Sequence, residues 1–133
     1  MNIALNGKNI EKEHAKDFQL LIDYLNLKGI TYIIHNQLKK SIQLCGIVGI
    51  EDSSFFGSRE QLSEKIDFLL SIGGDGTFLN SVQLIRSLEI PILGINTGRL
   101  GFLSNASTAE IQDVIDSLTN RRFSIEKRTL LTL

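Results

Sequence analysis

Hydrophobic residues recur in two spacings along the first part of the chain. Between residues 11 and 28 they fall three and four positions apart with charged residues between them, which predicts an amphipathic helix ended by Gly29. Short apolar or β-branched runs at 3–5 and 31–34 flank this segment and predict two strands. A strand, a helix and a second strand in this order predict the start of a parallel sheet with a right-handed crossover.

Three later segments have the pattern of strands. A nearly unbroken apolar run at 68–72 is typical of a parallel strand that is covered on both faces. A further strand is predicted to begin at Pro91 and to run to residue 95, since a strand tolerates proline at its first position. Residues 123–131 alternate with period two and predict another strand. Residues 47–50 are a candidate for one more short strand.

Two further helices are predicted from periodicity. The first covers 77–88, where apolar residues share one face, namely Phe78, Val82 and Ile85. The second follows Ser107 and Glu110, which have the spacing of a capping box. The predicted fold class is therefore α/β, an open, mostly parallel, Rossmann-like sheet with helices on both faces.

One connecting segment allows two interpretations. Residues 51–57 are polar but carry two phenylalanines. They could form a mobile loop near the site, or a connector whose aromatic rings pack inward.

Composition narrows the class of protein. The chain is 42% hydrophobic with a net charge of −1, which is typical of a soluble globular domain without a general basic surface for nucleic acid or an anionic membrane. No apolar run approaches the length of about 18 residues that a membrane helix requires. The single cysteine, Cys45, excludes an intrachain disulfide and fits a cytoplasmic protein. His14 and His35 have no second ligand at metal spacing, so we expect surface or capping roles for them.

The predicted strand at 68–72 leads into Gly73-Gly74-Asp75-Gly76-Thr77. Glycine permits a positive φ and close approach of a ligand, and successive backbone N–H groups before a helix form an anion site. A carboxylate repels phosphate, so Asp75 should have another task, such as holding Mg²⁺ or accepting a proton from an attacking hydroxyl. The alternative is a tight turn in which Asp75 caps the helix.

A second glycine-rich loop, at 94–103, follows the strand that begins at Pro91. The two loops follow strands that we expect to be neighbours, so together they could bound one crevice at the carboxyl edge of the sheet. Within this second loop, Arg99 could clamp a phosphate or form a structural ion pair, and Phe102 could stack on a base or pack inside. Lys8, after the first strand, could meet a phosphate or remain solvated.

The two loops together resemble the NAD kinase family, which carries a GGDGT motif and, some twenty residues later, a Gly-Ile-Asn-x-Gly-x-Leu-Gly-Phe-Leu segment. Both motifs occur here, at 73–77 and 94–103, and residues 124–131 look like the strand with which the family enters its second domain. The GGDG motif alone is shared with lipid kinases and phosphofructokinases, whereas the second segment is much more specific.

The resemblance implies a role for particular residues. Asp75 matches the aspartate that is regarded in the family as the proton acceptor, and Gly76 and Phe102 match residues that contact NAD. The position of Asn80 is sometimes basic in relatives, so a charge-based role is not expected here. The predicted site is catalytic Asp75 with nucleotide contacts from Gly73, Gly74, Gly76, Thr77, Asn80, Asn96 and Phe102.

The resemblance also implies the reaction and its reactants. It implies ATP-dependent phosphorylation of the adenosine ribose 2′-hydroxyl of NAD to give NADP, with ATP or polyphosphate as donor and Mg²⁺ or another divalent cation. Expected partners are small-molecule nucleotides, with no nucleic acid and no membrane, and the full-length protein is expected to form a homo-oligomer. Rival hypotheses are a lipid or sugar kinase sharing GGDG, and a non-catalytic nucleotide-binding module.

The domain organisation is predicted in two parts. Residues 1–104 should form the α/β nucleotide-binding domain, and 105–133 should supply a helix and the first strand of a β-rich second domain. The chain stops within that last predicted strand, so we expect it to be a piece of a longer protein that has little activity alone.

Overall fold

The computed structural model describes residues 1–62, 65–86, 88–96, 106–107 and 110–122, and its regular elements alternate between strand and helix along much of the chain. The strands are β1 (Asn2–Gly7), β2 (Thr31–His35), β3 (Phe55–Phe56), β4 (Phe68–Gly73), β5 (Ile92–Asn96) and β6 (Ala106–Ser107). The helices are α1 (Ala15–Leu27), α2 (Lys39–Leu44), α3 (Asp75–Ile85) and α4 (Ile111–Thr119).

The six strands form one parallel sheet with the order β3-β2-β1-β4-β5-β6. The chain first winds outward from β1 to β3 and then returns to β4, on the other side of β1. This order has a topological switch point between β1 and β4, where the crevice of an open α/β sheet lies. The predicted parallel α/β sheet is confirmed.

One face of the sheet is covered by α1, α2 and α4. Strand residues that alternate along the sheet meet the apolar stripes of these helices in one core, as period-two strands and period-3.6 helices require. Its fully or nearly fully buried members include Ile3, Leu5, Ile34, Leu70, Ile72 and Ile95 from the strands and Phe18, Leu21, Ile22, Leu25, Leu38, Ile42, Ile111, Ile115 and Leu118 from the helices.

The other face carries α3 and a smaller apolar cluster. This cluster is formed by Ala4, Phe56, Leu62, Leu69, Ile85 and Ile90. Helices therefore lie on both faces, as predicted.

The predicted helix α1 is confirmed, but its α-helical part begins later than predicted. Residues 12–14 form a short 3₁₀ turn and the α-helix itself begins at Ala15. Gly29 follows the helix with φ +66, a left-handed conformation that favours glycine and ends the helix as predicted.

The predicted strand at 47–50 is wrong. Strand β3 is instead the short pair Phe55–Phe56, beside Ile34 and His35 of β2. A two-residue edge strand is determined by its partner strand and has too few residues to show a period. Phe56 is 2% exposed, so the segment 51–57 is a connector with a ring packed inward rather than an open loop.

The boundaries of α3 and β5 differ slightly from prediction. Helix α3 begins at Asp75 instead of residue 77, and β5 begins at Ile92, directly after Pro91. The buried residues of α3 are Thr77, Ser81 and Ile85, whereas the predicted inner residues Phe78 and Val82 are only half-buried. Small polar side chains allow this part of the helix to approach the sheet closely.

The predicted capping box before α4 is also wrong. Ser107 belongs to β6, where its backbone lies beside Asn96, and Glu110 is the residue that precedes the helix. Helix α4 packs on α1, where the Tyr24 hydroxyl donates to Asp116 Oδ1 at 2.5 Å. The described part of 105–133 thus packs with the first α/β unit, and a second domain beyond it stays a prediction. The strand predicted at 123–131 lies outside the described residues.

Among the described residues, every helix is too short or too polar to cross a membrane.

Candidate nucleotide-binding site

The loop between β4 and α3 is tight, and Gly73 makes it possible. Gly73 has φ +149, a conformation that is open to glycine and strained for other residues. A Cβ atom at this position would lie 2.6 Å from Thr77 Oγ1, so the side chain of the first helical turn fills that space. The chain therefore turns from strand to helix within one residue, Gly74.

Asp75 is the first residue of α3 and is half-buried. The N-cap is Gly74, whose carbonyl accepts the first helical hydrogen bond from Phe78 N at 3.0 Å. No side-chain hydrogen bond caps this helix. The structure therefore gives the capping position to Gly74, and Asp75 is not the N-cap.

Space for a ligand adjoins this loop. A Cβ placed on Gly74 or Gly76 would have no atom of another described residue within 4 Å, apart from its chain neighbours and the nearby helix backbone. The first N–H groups of an α-helix have no partner within the helix and carry a partial positive charge, so a phosphate can bind there. Glycines that leave open space beside such groups let the phosphate approach the backbone.

The second loop begins beside the first. Asn96, the last residue of β5, lies opposite Gly73 in the register of β4 and β5 and is 3% exposed. The two predicted loops therefore do follow neighbouring strands. Arg99 and Phe102, which were predicted in the second loop, lie outside the described residues. Lys8 is exposed after the end of β1.

A buried polar network that the sequence analysis did not identify lies under α3. Asn6, which lies just beyond the strand predicted at 3–5, is part of β1 and is fully buried. Its Nδ2 group donates to Ser81 Oγ at 2.8 Å and to Asn80 Oδ1 at 3.3 Å. Ser81 Oγ lies 3.0 Å from both Ser71 Oγ and the Thr77 carbonyl oxygen. The sequence did contain a signal for this network. Side chains alternate between the two faces of a strand, and Asn6 and Ser71 are polar residues at positions on a face that is otherwise apolar.

The carbonyl oxygen of this buried asparagine has no partner. Asn6 Oδ1 is completely enclosed and accepts no hydrogen bond from any residue that the structure describes. An enclosed polar atom without a partner costs about 1–3 kcal/mol. Asn6 is thus a costly residue at the end of β1, next to the switch point.

A cleft also opens on the opposite face of the sheet. It has a cavity volume of about 40 Å³, with an apolar floor that includes Phe18, Ile72 and Ile95 and a rim that includes Glu11 and Asp17. An acidic rim repels phosphate, so this cleft is not where we place the nucleotide phosphates.

The rim of this cleft carries the one cluster of possible metal ligands found among the described residues. Side-chain atoms of Glu11, Glu13 and His14 lie within 4.8 Å of one another. A hydrogen bond with Glu13 raises the pKa of Glu11. His14 therefore has neighbouring ligands that its sequence spacing did not reveal, although both carboxylates are exposed and such groups are common without a metal.

A glycine-rich loop that feeds a helix N-terminus at the switch point of an open parallel sheet defines a nucleotide-binding α/β domain. The sequence model of the ATP-NAD kinase N-terminal domain matches residues 12–123. The chain therefore belongs to the NAD kinase family.

Individual relatives agree with this assignment. An NAD kinase of Bacteroides fragilis is 46% identical over 137 residues, and one of Christiangramia forsetii is 35% identical over 133 residues. Each alignment covers 100% of this chain and 45% of the relative. The chain thus spans less than half the length of these curated relatives.

A solved structure shows the same fold. The crystal structure of yeast NADH kinase complexed with NADH aligns with a TM-score of 0.74 and 20% identity, covering 92% of this chain and 36% of that one. At this identity the likeness supports the architecture alone.

Proposed function

We propose that the whole protein is an NAD kinase that transfers the γ-phosphoryl group of ATP to the adenosine ribose 2′-hydroxyl of NAD. The observation that carries the proposal is the position of Asp75. Its carboxylate stands at the first position of α3, beside two glycines that leave open space, at the carboxyl edge of the sheet. NAD is proposed as the substrate because the chain belongs to the NAD kinase family.

The chemistry needs a proton acceptor and a place for phosphate. A sugar hydroxyl is a poor nucleophile at neutral pH, and a carboxylate within hydrogen-bond reach accelerates the reaction by taking its proton. In the proposed step the 2′-oxygen forms a bond to the γ-phosphorus, its proton passes to Asp75, and the bond to the β-phosphate breaks to release ADP. The N–H groups at the start of α3 bind and orient phosphate oxygens.

The other predicted residues have supporting roles in this proposal. Gly73 and Thr77 shape the turn, Gly74 and Gly76 admit the nucleotide, and Asn96 lies beside the turn at the end of β5. Asn80, which lies on α3 and is hydrogen-bonded to Asn6, is proposed to contact the nucleotide. Phe102 is proposed to contact the NAD base on the strength of the family motif.

We further propose that Mg²⁺ is required. Mg²⁺ in phosphoryl-transfer sites is held by one or two carboxylates together with substrate phosphates. Because Asp75 is the proposed proton acceptor, the ion would be held mainly by those phosphates. The ion would neutralise negative charge on the transferring phosphoryl group. A cytoplasmic location and a homo-oligomeric assembly are proposed from the family resemblance.

The test is an assay of the full-length protein with NAD, ATP and Mg²⁺, in which an NADP-specific dehydrogenase detects the product. We expect Asp75→Asn to reduce kcat by at least about 100-fold, the lower range for loss of a general base, with little change in thermal stability. Asp113→Asn, which alters an exposed carboxylate on α4, is the matched control and should retain activity.

The other outcomes are equally informative. NADP formation that survives in Asp75→Asn would exclude Asp75 as the proton acceptor. A folded wild-type protein that consumes ATP only with a lipid or sugar acceptor would replace the proposal with the GGDG-kinase hypothesis. Parallel assays with NADH as acceptor and polyphosphate as donor define the substrate range.

A further inference from the structure

The starting point is the fully buried Asn6 on the face of the sheet that carries α3. Its neighbour along the same face of β1, Ala4, is apolar and belongs to the small core cluster. A buried amide is unfavourable unless its polar atoms are paired, and Asn6 Oδ1 is not paired with any described residue. A residue that costs stability at the edge of a binding crevice requires a role other than stability.

The hydrogen bonds of Asn6 constrain one particular side chain. Its NH₂ group donates to Ser81 Oγ and to Asn80 Oδ1. An asparagine amide has nearly equal shape in its two orientations, so hydrogen bonds decide which end carries the donor. Because a donor from Asn6 faces the oxygen of Asn80, the NH₂ group of Asn80 is turned away from Asn6.

The position of Asn80 places that NH₂ group next to the open part of the loop. Asn80 is half-buried and follows Gly76 by four residues, so both lie on the same flank of α3. This flank faces the end of β1, where Asn6 is located, and none of the described side chains would come within 4 Å of a Cβ on Gly76. The flank therefore borders the crevice at the switch point.

From this geometry we infer that Asn6 is a positioning residue, which orients the amide of Asn80 so that its NH₂ group donates to a phosphate oxygen of the bound nucleotide. The inference rests on the proposed function and deepens it. The phosphate belongs either to ATP or to the pyrophosphate of NAD, since both present the same acceptor oxygens. Asn6 itself does not touch the nucleotide.

The test uses the full-length protein and measures KM and kcat for ATP and for NAD separately, together with Kd for each nucleotide by calorimetry. Asn80→Asp keeps an acceptor for Asn6 but replaces the outward donor with a charge that repels phosphate. We expect it to raise KM and Kd for one of the two nucleotides by about 10-fold or more, the size of one lost charge-assisted hydrogen bond. The affected nucleotide identifies the phosphate.

Asn6→Ala should raise the KM and Kd of that same nucleotide by about three- to tenfold with kcat within about twofold, because the Asn80 amide then samples both orientations. Ser71→Ala is the matched control, because Ser71 is a buried member of the same network that lies beside Asn6 in the register of β1 and β4 but makes no hydrogen bond to Asn6 or to Asn80. It should lower thermal stability without changing KM. Asn6→Ser replaces Asn6→Ala if the alanine variant does not fold.

A lysine at position 80 provides the rescue experiment, since an ammonium group needs no neighbour to orient its donors. In an Asn80→Lys background, adding Asn6→Ala should leave KM and Kd within about twofold. A persistent effect in that background would overturn the inference, and so would unchanged nucleotide affinity in Asn6→Ala alone.

The outcome of the wild-type assay separates the two proposals. Nucleotide binding without NADP formation would refute the proposed reaction, while the Kd comparisons would still decide the role of Asn6. NADP formation with an unaltered Asn6→Ala affinity would refute only the role of Asn6. Wild-type protein that binds neither ATP nor NAD would overturn both.

Discussion

The two faces of the sheet differ most at its carboxyl edge. On the face covered by α1, α2 and α4 the strands remain apolar to their ends, with Leu5, Ile72 and Ile95 in the core. On the face covered by α3, β1 and β4 are apolar at first, with Ala4 and Leu69, and then become polar. The residues at this polar end are Asn6, His35, Ser71 and Asn96.

This difference separates stability from function. A fully buried leucine or isoleucine contributes about 1.5–3 kcal/mol, and most such side chains lie on the α1 face. The polar end of the α3 face gives up part of that contribution and leaves one amide oxygen without a partner. It gains a helix whose second turn is held to the sheet by directional hydrogen bonds through Asn80 and Ser81. Directional bonds position groups more specifically than apolar contacts do.

The largest effect on stability is expected on the α1 face. Leu25→Ala removes a fully buried side chain and should lower the free energy of unfolding by about 2–5 kcal/mol, since the core collapses only partly around the cavity. Urea denaturation measures the change. Leu27→Ala on the same helix is the control, because Leu27 is 78% exposed and its loss should cost less than about 0.5 kcal/mol.

Nucleotide affinity of the folded Leu25→Ala protein should equal that of the wild type. A large loss of nucleotide affinity would show that packing on the α1 face also determines nucleotide binding on the α3 face.

A smaller stability effect with a larger functional effect is expected at the loop on the α3 face. Gly73→Ala places a side chain in a conformation with φ +149, 2.6 Å from Thr77 Oγ1, and should cost about 1–3 kcal/mol. Gly76→Ala is the informative partner, because its Cβ meets no side chain within 4 Å in the described part of the chain and alanine favours the helix by about 0.5–1 kcal/mol.

We expect Gly76→Ala to be at least as stable as the wild type yet to bind nucleotide more weakly, as measured by calorimetry. Unimpaired binding in this variant would show that the nucleotide does not approach the backbone there.

The smallest effect is a pH dependence at His35. Burial lowers the pKa of this imidazole, whose Nδ1 accepts from Gln37 N at 3.1 Å and whose ring packs edge-on against Phe56. The unfolded chain therefore binds the proton more readily. Stability should fall as pH drops below the ordinary histidine pKa, toward the lower folded value, by at most about 1.4 kcal/mol per pH unit.

Thermal unfolding between pH 7.5 and 5 measures this slope. His35→Asn keeps a capping acceptor but does not titrate in this range, so its slope should be smaller. Equal slopes in both proteins would assign the pH dependence to other groups.

Several elements could be predicted from the sequence because their signals are local. The periodicity of α1, the β-branched run of β2 and the apolar run of β4 each specify an element without reference to a distant residue. Capping by His35 was among the expected roles, and the structure confirms it at the 3₁₀ turn that follows β2. The glycine-rich loop was recognisable for the same local reason.

Other features could not be predicted because a distant partner decides them. Strand β3 exists only through its pairing with β2, so the sequence favoured the wrong segment, 47–50. Ser107 has the sequence of a helix cap but lies beside Asn96 in the sheet. The inner face of α3 consists of small polar residues because it meets Asn6 and Ser71, and its own periodicity suggested a more apolar face.

The sequence by itself determined the α/β class, the parallel sheet and the identity of the loop that carries Asp75. Hydrophobic period and glycine content encode these features, and both are properties of neighbouring residues in the chain. Only the tertiary structure decided that β1 lies beside β4, that the side chain of Asn6 is buried against α3, and that the two faces of the sheet differ in polarity at its carboxyl edge. These features depend on pairing and burial between residues some 65 to 75 positions apart, and no local pattern records them.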